Sequence, residues 1–229
     1  GPRPADGGPV VEGQIAGLEV VERVAAPLRL EQQGERRVLL GFDGVDDYAT
    51  SGSSIDLSND SFSWAFWSHH QETTSEHQHA FRIGTSVANS GLHVGFRRPH
   101  QFRFSFFNSQ LDFYDDVDYN QQGWIFWSGT YDADSQTRRL YKNGRPVASD
   151  QNVANFVGSG QLYIGRSFTA GDSYKGRLSQ LSLWSRPLSQ GEIRTIMYGQ
   201  LAGDETGLVG YWPLDEGYGD TAHDYSTHY

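Results

Sequence analysis

Two stretches of strict alternation constrain this chain more than any other feature. In residues 61–66, Phe62, Trp64 and Phe66 interleave with Ser61, Ser63 and Ala65, and in residues 101–106, Phe102, Phe104 and Phe106 interleave with Gln101, Arg103 and Ser105. A period of two puts each aromatic trio on one side of an extended strand. Each strand therefore has one face to bury. Apolar, β-prone runs recur at 37–42, 79–83, 91–96, 137–141, 161–165 and 175–184. Residues 123–131, apolar on both faces at their centre, predict a central strand, and 111–119 predict a short strand followed by a loop. Between the run 137–141 and a returning run at 146–149 stands Asn143-Gly144, a strong hairpin signal because both central positions of a type I′ turn need positive φ. Residues 51–54 read as a polar turn and 68–78 as a polar, His-rich loop. Short strands spaced about 8–12 residues apart, with turn chemistry between them, describe a sandwich or jelly roll.

One helix interrupts this pattern. Ser189 and Glu192 form a Ser-x-x-Glu capping box just after Pro187, in which each side chain satisfies an amide that the helix start leaves orphaned. Ile193, Ile196 and Met197 follow at helical spacing, with Gly199 and Gly203 as stop signals. Leu208, Gly210 and Trp212 alternate with Val209 and Tyr211, so the chain returns as a strand. The placement suggests a lid on the end of a sandwich.

The 229 residues suit one large all-β domain with an N-terminal extension. Residues 1–34 read as a linker or leading edge segment and 35–229 as the domain. Cysteine is absent, which excludes disulfides, thiolate metal sites and thiol catalysis. The net charge of -10 argues against nucleic acid or an anionic membrane surface as partner. No apolar run approaches the roughly 18 residues of a spanning helix, so no membrane insertion is expected. The chain opens Gly1-Pro2 rather than with Met, and the expectation is one module among further domains of a longer chain.

The chain resembles the laminin-G-like, concanavalin-A-like lectin/glucanase superfamily of jelly-roll domains, in its bacterial and metazoan extracellular branch. The resemblance runs from about residue 39 to 226. Its opening signature is Phe42-Asp43-Gly44-Val45-Asp46-Asp47-Tyr48, followed by the strand of Trp64 and Trp67, the hairpin Leu140-Tyr141-Lys142-Asn143-Gly144, the run Tyr174-Lys175-Gly176-Arg177-Leu178, and Gly207-Leu208-Val209-Gly210-Tyr211-Trp212 with Asp224-Tyr225-Ser226. Ile125-Phe126 stands where the family usually has a His pair. The resemblance implies two stacked antiparallel sheets whose N- and C-terminal segments lie together. It implies a binding or adhesive module more often than an enzyme, outside the cell or on its surface, and names no ligand.

Four constellations carry candidate chemistry. Asp43, Asp46 and Asp47 in the opening motif, with Asp215, Glu216, Asp220 and Asp224 in the closing one, supply hard oxygen ligands of the kind Ca2+ takes in sixes to eights. Gly44, Gly217 and Gly219 would let backbone carbonyls turn inward, and the resemblance adds that many relatives hold one structural Ca2+ here. Against this stands turn capping by the same carboxylates and pairing with Arg166 or Arg177. Among His69, His70, His77 and His79, the last two sit at i, i+2 like a transition-metal pair, although a variable polar loop explains them as well. Residues 97–119 offer a glycan platform in Arg97, Arg98, Arg103, Phe107 and Tyr114, with Phe107 on the polar parity of its strand. Asp112 and Asp115 are the nearest approach to the paired carboxylates of jelly-roll glucanases, and the Glu-x-Asp-x-x-Glu arrangement is missing. The functional expectation is a non-catalytic module that binds a glycan or a protein ligand. The alternative is a structural spacer or protein-interaction domain stabilised by Ca2+.

Overall fold

The computed structural model describes residues 18–21, 28–32, 35–71, 77–169, 171–216 and 221–227. Two antiparallel sheets stack face to face. In spatial order the first holds β16 (Thr221–Ala222), β1 (Leu18–Val21), β4 (Tyr48–Asp56), β13 (Ser159–Ile164), β6 (Gln78–Gly84), β7 (Gly91–Phe96), β8 (Gln101–Phe106) and β9 (Gln110–Tyr114). The second runs β12 (Arg145–Asp150), β11 (Thr137–Lys142), β10 (Ile125–Asp132), β5 (Phe62–His70), β14 (Lys175–Trp184), β3 (Glu35–Asp43) and β2 (Leu28–Gln32), with β15 (Leu208–Trp212) beside the far end of β14. The first and last described strands pair, β1 with β16, and the Leu40 amide donates to the Leu214 carbonyl at 3.0 Å. The implied jelly roll is present, with β1 and β2 paired into it ahead of residue 35.

The alternating aromatics form the core. Phe62, Trp64 and Phe66 of β5 face Phe102, Phe104 and Phe106 of β8, and all six are buried. Trp64 meets Phe104 edge-on at 5.3 Å, and Trp127 stacks on Phe102 at 3.7 Å. Edge-to-face contacts such as the first add to the burial of apolar area.

Residues 51–54 depart from the expected turn. They lie inside β4, whose pairing with β13 runs through Ser54 opposite Gln161. Ser51 points inward, donates to the Ser53 carbonyl at 2.7 Å and accepts the Leu162 amide at 2.9 Å. A serine that satisfies a bulge can thus stand in a strand whose polar string reads as a turn.

The hairpin and the helix follow the expected local chemistry. Asn143 and Gly144 have φ of 50° and 69°. The helix α1 (Gln190–Tyr198) starts at Ser189 with both bonds of the capping box made. Arg186 beside Glu192 holds that carboxyl down to about 2. Its location corrects the lid expectation. Leu188, Ile193, Ile196 and Met197 pack on Ala65, Phe126, Tyr141 and Trp184, so the helix covers the outer face of the second sheet rather than an end. The sheet residues in this second cluster have the opposite parity to the inter-sheet core, and they need a cover of their own. Ser189→Ala is expected to cost about 1 kcal/mol through the lost cap. An unchanged urea midpoint would show that the cap contributes nothing to stability.

Candidate functional site

The outer face of the first sheet is built by alternation and one irregularity. In β7, Leu92, Val94 and Phe96 point into the core, so Gly91, His93 and Gly95 face outward. In β8 the outward set is Gln101, Arg103 and Ser105. In β6 a bulge between His79 and Phe81 lets both His79 and Arg82 face outward although they are three residues apart. Direct cross-strand partners then line up across six strands: Thr50, Tyr163, Arg82, His93, Ser105 and Gln110. At strand spacing this row is about 24 Å long. A second row holds His79, Gly95, Arg103 and Asp112. Gly95 is required there, because a β-carbon would lie 2.1 Å from the Gln78 carbonyl oxygen.

Rings and guanidinium groups interleave along the first row. The Arg82 guanidinium lies 3.9 Å from the Tyr163 ring centre and 4.7 Å from that of Phe168, and its Nε–H donates to the Ser167 carbonyl at 3.1 Å. That bond holds the loop after β13 over the sheet. Arg166 sits over Tyr48 at 4.6 Å. His79 and His93 stack at 4.7 Å, and Phe168 meets both edge-on. Burial holds His93 down to about 4 and His79 well below its ordinary range, with His93, His77 and the nearby arginines acting in the same direction. Both rings are therefore neutral at pH 7 and, being buried, act as packing surfaces against each other and Phe168. The face offers the half-buried rings of Tyr163 and Phe168 for C–H groups and Arg82 and Gln110 as donors for hydroxyls, whereas His79, His93 and Ser105 are buried and the Ser105 hydroxyl already donates to the Ser109 carbonyl. Asp112, a carboxylate on this face, is tied to Arg103 by two bonds of 2.6 Å.

The sequence-derived residues are distributed unevenly. Arg103 lies on the second row. Phe107 follows β8 with φ of 20°, half-buried, and meets His93 and Phe168 edge-on at 6.1 and 5.8 Å. Arg97 lies at the other end of β8, about 17 Å of strand away, where its Nη2 is 3.1 Å from His77 Nε2. Arg98 occupies the β7–β8 turn with φ of 68°, and Tyr114 stands exposed on the edge strand β9. The five do not form one cluster. The sequence reading missed Arg82, His93, Tyr163 and Phe168. Simple alternation in β7 and β13 marks His93 and Tyr163 as outward-facing, whereas no local signal marks Arg82 or Phe168.

The histidines separate. His69 meets Trp124 edge-on at 5.6 Å, His70 stacks on Phe96 at 4.2 Å inside the sandwich, His77 stands just before β6, and His79 lies within β6. His77 and His79 engage different partners rather than converging as a metal pair. Asp112 and Asp115 also part company. Burial pushes the Asp115 carboxyl up, but Lys142 and Gln122 outweigh it and pull it below its ordinary value.

Asp43, Asp46 and Asp47 do converge, with one ligand atom each inside 4.8 Å. The Asp43 amide donates to Asp47 at 2.8 Å, and the Val45 amide to Asp43 at 2.7 Å. Burial and the neighbouring carboxylates push Asp47 up, against the pull of that amide. Asp224 is elsewhere. Its Oδ1 accepts the Tyr211 and Ser226 amides, each at 2.9 Å. Tyr211 pairs with Ser182 of β14 and Asp43 with Lys175, so the two aspartates lie about 23 Å apart along that strand. Gly217, Gly219 and Asp220 lie outside the described residues. Among the described residues no helix is long and apolar enough to cross a membrane.

Comparison with known proteins agrees with this fold. A family model described as concanavalin A-like lectin/glucanases superfamily matches residues 43–194. No curated protein matches the chain. Among solved structures, the binding domain of Paraclostridial Mosquitocidal Protein 1 is similar, with a TM-score of 0.58 and 14% identity over 80% of this chain and 47% of its own. The chain thus spans about half of that domain's length. Domain 4 of AbnA, an extracellular GH43 arabinanase of Geobacillus stearothermophilus solved with arabinotriose, gives 0.55 and 14% over 80% and 87%. The CBM40 of the Ruminococcus gnavus IT-sialidase, bound to α2,3 sialyllactose, gives 0.50 and 15% over 64% and 92%. At these identities the likeness concerns the fold.

Proposed function

The chain belongs to the concanavalin A-like lectin/glucanases superfamily, and from that premise we propose that it is a non-catalytic module that binds glycans through the outer face of its first sheet, outside the cell or at its surface. The observation that carries this reading is the row Tyr163–Arg82–Phe168, where two part-exposed rings flank a fixed guanidinium. A saccharide presents apolar C–H faces and rings of hydroxyls, and such a row meets both. Two neighbours in the same fold, the arabinanase domain and the sialidase module, were solved with saccharides bound, which supports the reading by analogy.

A glycan array probed with the whole chain tests it. We expect a defined saccharide hit that Arg82→Ala and Tyr163→Ala each weaken at least tenfold. Absence of any hit, or a hit indifferent to both substitutions, would favour the spacer or protein-interaction reading.

Calcium belongs to this proposal as a structural ion. Asp43, Asp46 and Asp47 would hold it, with backbone carbonyls and water completing the six to eight oxygens it takes. Three crowded carboxylates, one of them pushed up by burial and by the other two, suit a divalent cation. The folded Asp47 binds its proton more tightly than the unfolded chain does. Its charge therefore costs stability above the folded pKa, and that cost disappears as the pH falls through it. Asp47→Asn should accordingly raise the melting temperature in EDTA at pH 7 and abolish the further rise that Ca2+ gives the wild type. A wild-type melting temperature identical in EDTA and in Ca2+ would remove calcium from the account. Glycan hits that persist in EDTA would separate the ion from the binding face.

A further inference from the structure

On the opposite side of the molecule the hairpin 142–145 and the helix α1 enclose an open cleft of 790 Å³, within the range of roughly 300–1,000 Å³ typical of small-ligand sites. Trp67, Trp124, Arg145, Arg194, Met197 and Tyr198 line it. The contact that shapes it is tight. The Gly144 carbonyl accepts Gln190 Nε2 at 2.9 Å and Arg194 Nε at 3.2 Å, and a β-carbon on Gly144 would lie 2.9 Å from Arg194 Cγ. The type I′ turn and the helix therefore fix where both arginines start.

We propose that this cleft is a second ligand site, independent of the outer face of the first sheet, and that it takes a carboxylate-bearing pyranose, that is, an acidic saccharide residue. Three observations carry this. The residues lining the cleft include three cations and no carboxylate, on a chain of net charge -10. Lys142 is already matched by Asp115, whereas Arg145 and Arg194 carry no ion pair among the described residues. Two unbalanced guanidinium groups suit a carboxylate, which they can take bidentately. The indoles supply the other half. Trp67 is braced by Phe126 at 5.3 Å and Trp124 by His69 at 5.6 Å. Both are half-buried, while Trp64, Trp127, Trp184 and Trp212 are fully buried. Held indole faces with open access suit the C–H face of a sugar ring. An extended acidic peptide would need backbone partners as well, and the Asn143 side-chain oxygen is committed to the Phe126 amide at 2.9 Å.

The test is titration of the whole chain with methyl β-glucuronide and, in parallel, methyl β-glucoside, read by tryptophan fluorescence. Trp67 and Trp124 are the indoles a ligand in the cleft would cover. We expect the glucuronide to change the emission saturably, with the neutral sugar at least tenfold weaker and added salt weakening the glucuronide. Arg145→Ala and Arg194→Ala change exposed side chains, and each should lose at least tenfold, while Arg82→Ala on the other face should leave the titration unchanged. Equal binding of the two sugars, no saturable change, or a loss caused by Arg82→Ala instead would overturn the proposal. So would an oligoglutamate peptide that binds where the glucuronide does not. Because Arg82 and the Arg145/Arg194 pair read opposite faces, this site and the glycan face can fail separately.

Discussion

Trp64→Ala lowers the unfolding free energy by about 4 kcal/mol, at the upper end of what core truncations cost. Trp64 is fully buried and joins the two sheets, meeting Phe66 of its own strand and Phe81, Phe102 and Phe104 of the facing sheet at 5.3–6.4 Å. Removing the indole leaves a cavity walled by rings that cannot collapse onto it. The same indole explains Gly129, its cross-strand partner. A β-carbon on Gly129 would lie 2.3 Å from Trp64 Cζ2, so Gly129→Ala alone costs about 2 kcal/mol by overpacking. In the Trp64→Ala background the new methyl group enters the vacated space and that penalty vanishes. A double-mutant cycle by urea unfolding therefore returns a coupling of roughly 2 kcal/mol. Strict additivity of the two substitutions would disprove the contact.

Acidification from pH 6.5 to 4 removes comparable stability. Burial lowers His70 to about 4 and His93 to about 4, against an ordinary value of 6.5. Between those values the unfolded chain binds protons that the folded chain refuses. The stabilisation is complete above pH 6.5, declines as the pH falls and is gone below 4. Each histidine accounts for about 3 kcal/mol over that window, and His79 acts with the same sign. Asp47 and Asp224, both pushed up by burial, act with the opposite sign as they protonate. Because His70 stacks on Phe96, His70→Phe should keep the packing and flatten the profile by the share of that one residue. Urea midpoints unchanged between pH 6.5 and 4 would show that these rings are not buried in the neutral form.

What the sequence determined by itself is what short-range chemistry decides. Alternation in 61–66 and 101–106 marked the two aromatic faces, because strand periodicity leaves no other side for them. Asn143-Gly144 marked its hairpin through positive φ, and Ser189 with Glu192 marked the helix start through orphaned amides. Asp43, Asp46 and Asp47 were legible as a cluster because one tight loop holds all three. Asp224 was not separable from them on paper, since its distance depends on where Tyr211 falls along β14.

The tertiary structure alone decided which side chains share a surface. The bulge in β6 turned His79 and Arg82 to the same side, and only pairing with β7 reveals a bulge. Phe168 reached Arg82 from a loop more than eighty residues away, held by the Ser167 carbonyl. The helix went to a sheet face because Ala65, Phe126, Tyr141 and Trp184, from four separate strands, converge there on an apolar surface that needed cover. Its docking against Gly144 then opened the cleft between Trp67, Trp124 and the two arginines. Local pattern assigns each residue to a strand, a turn or a helix, but neighbours across a sheet depend on register, and register is settled by the packing of the whole sandwich.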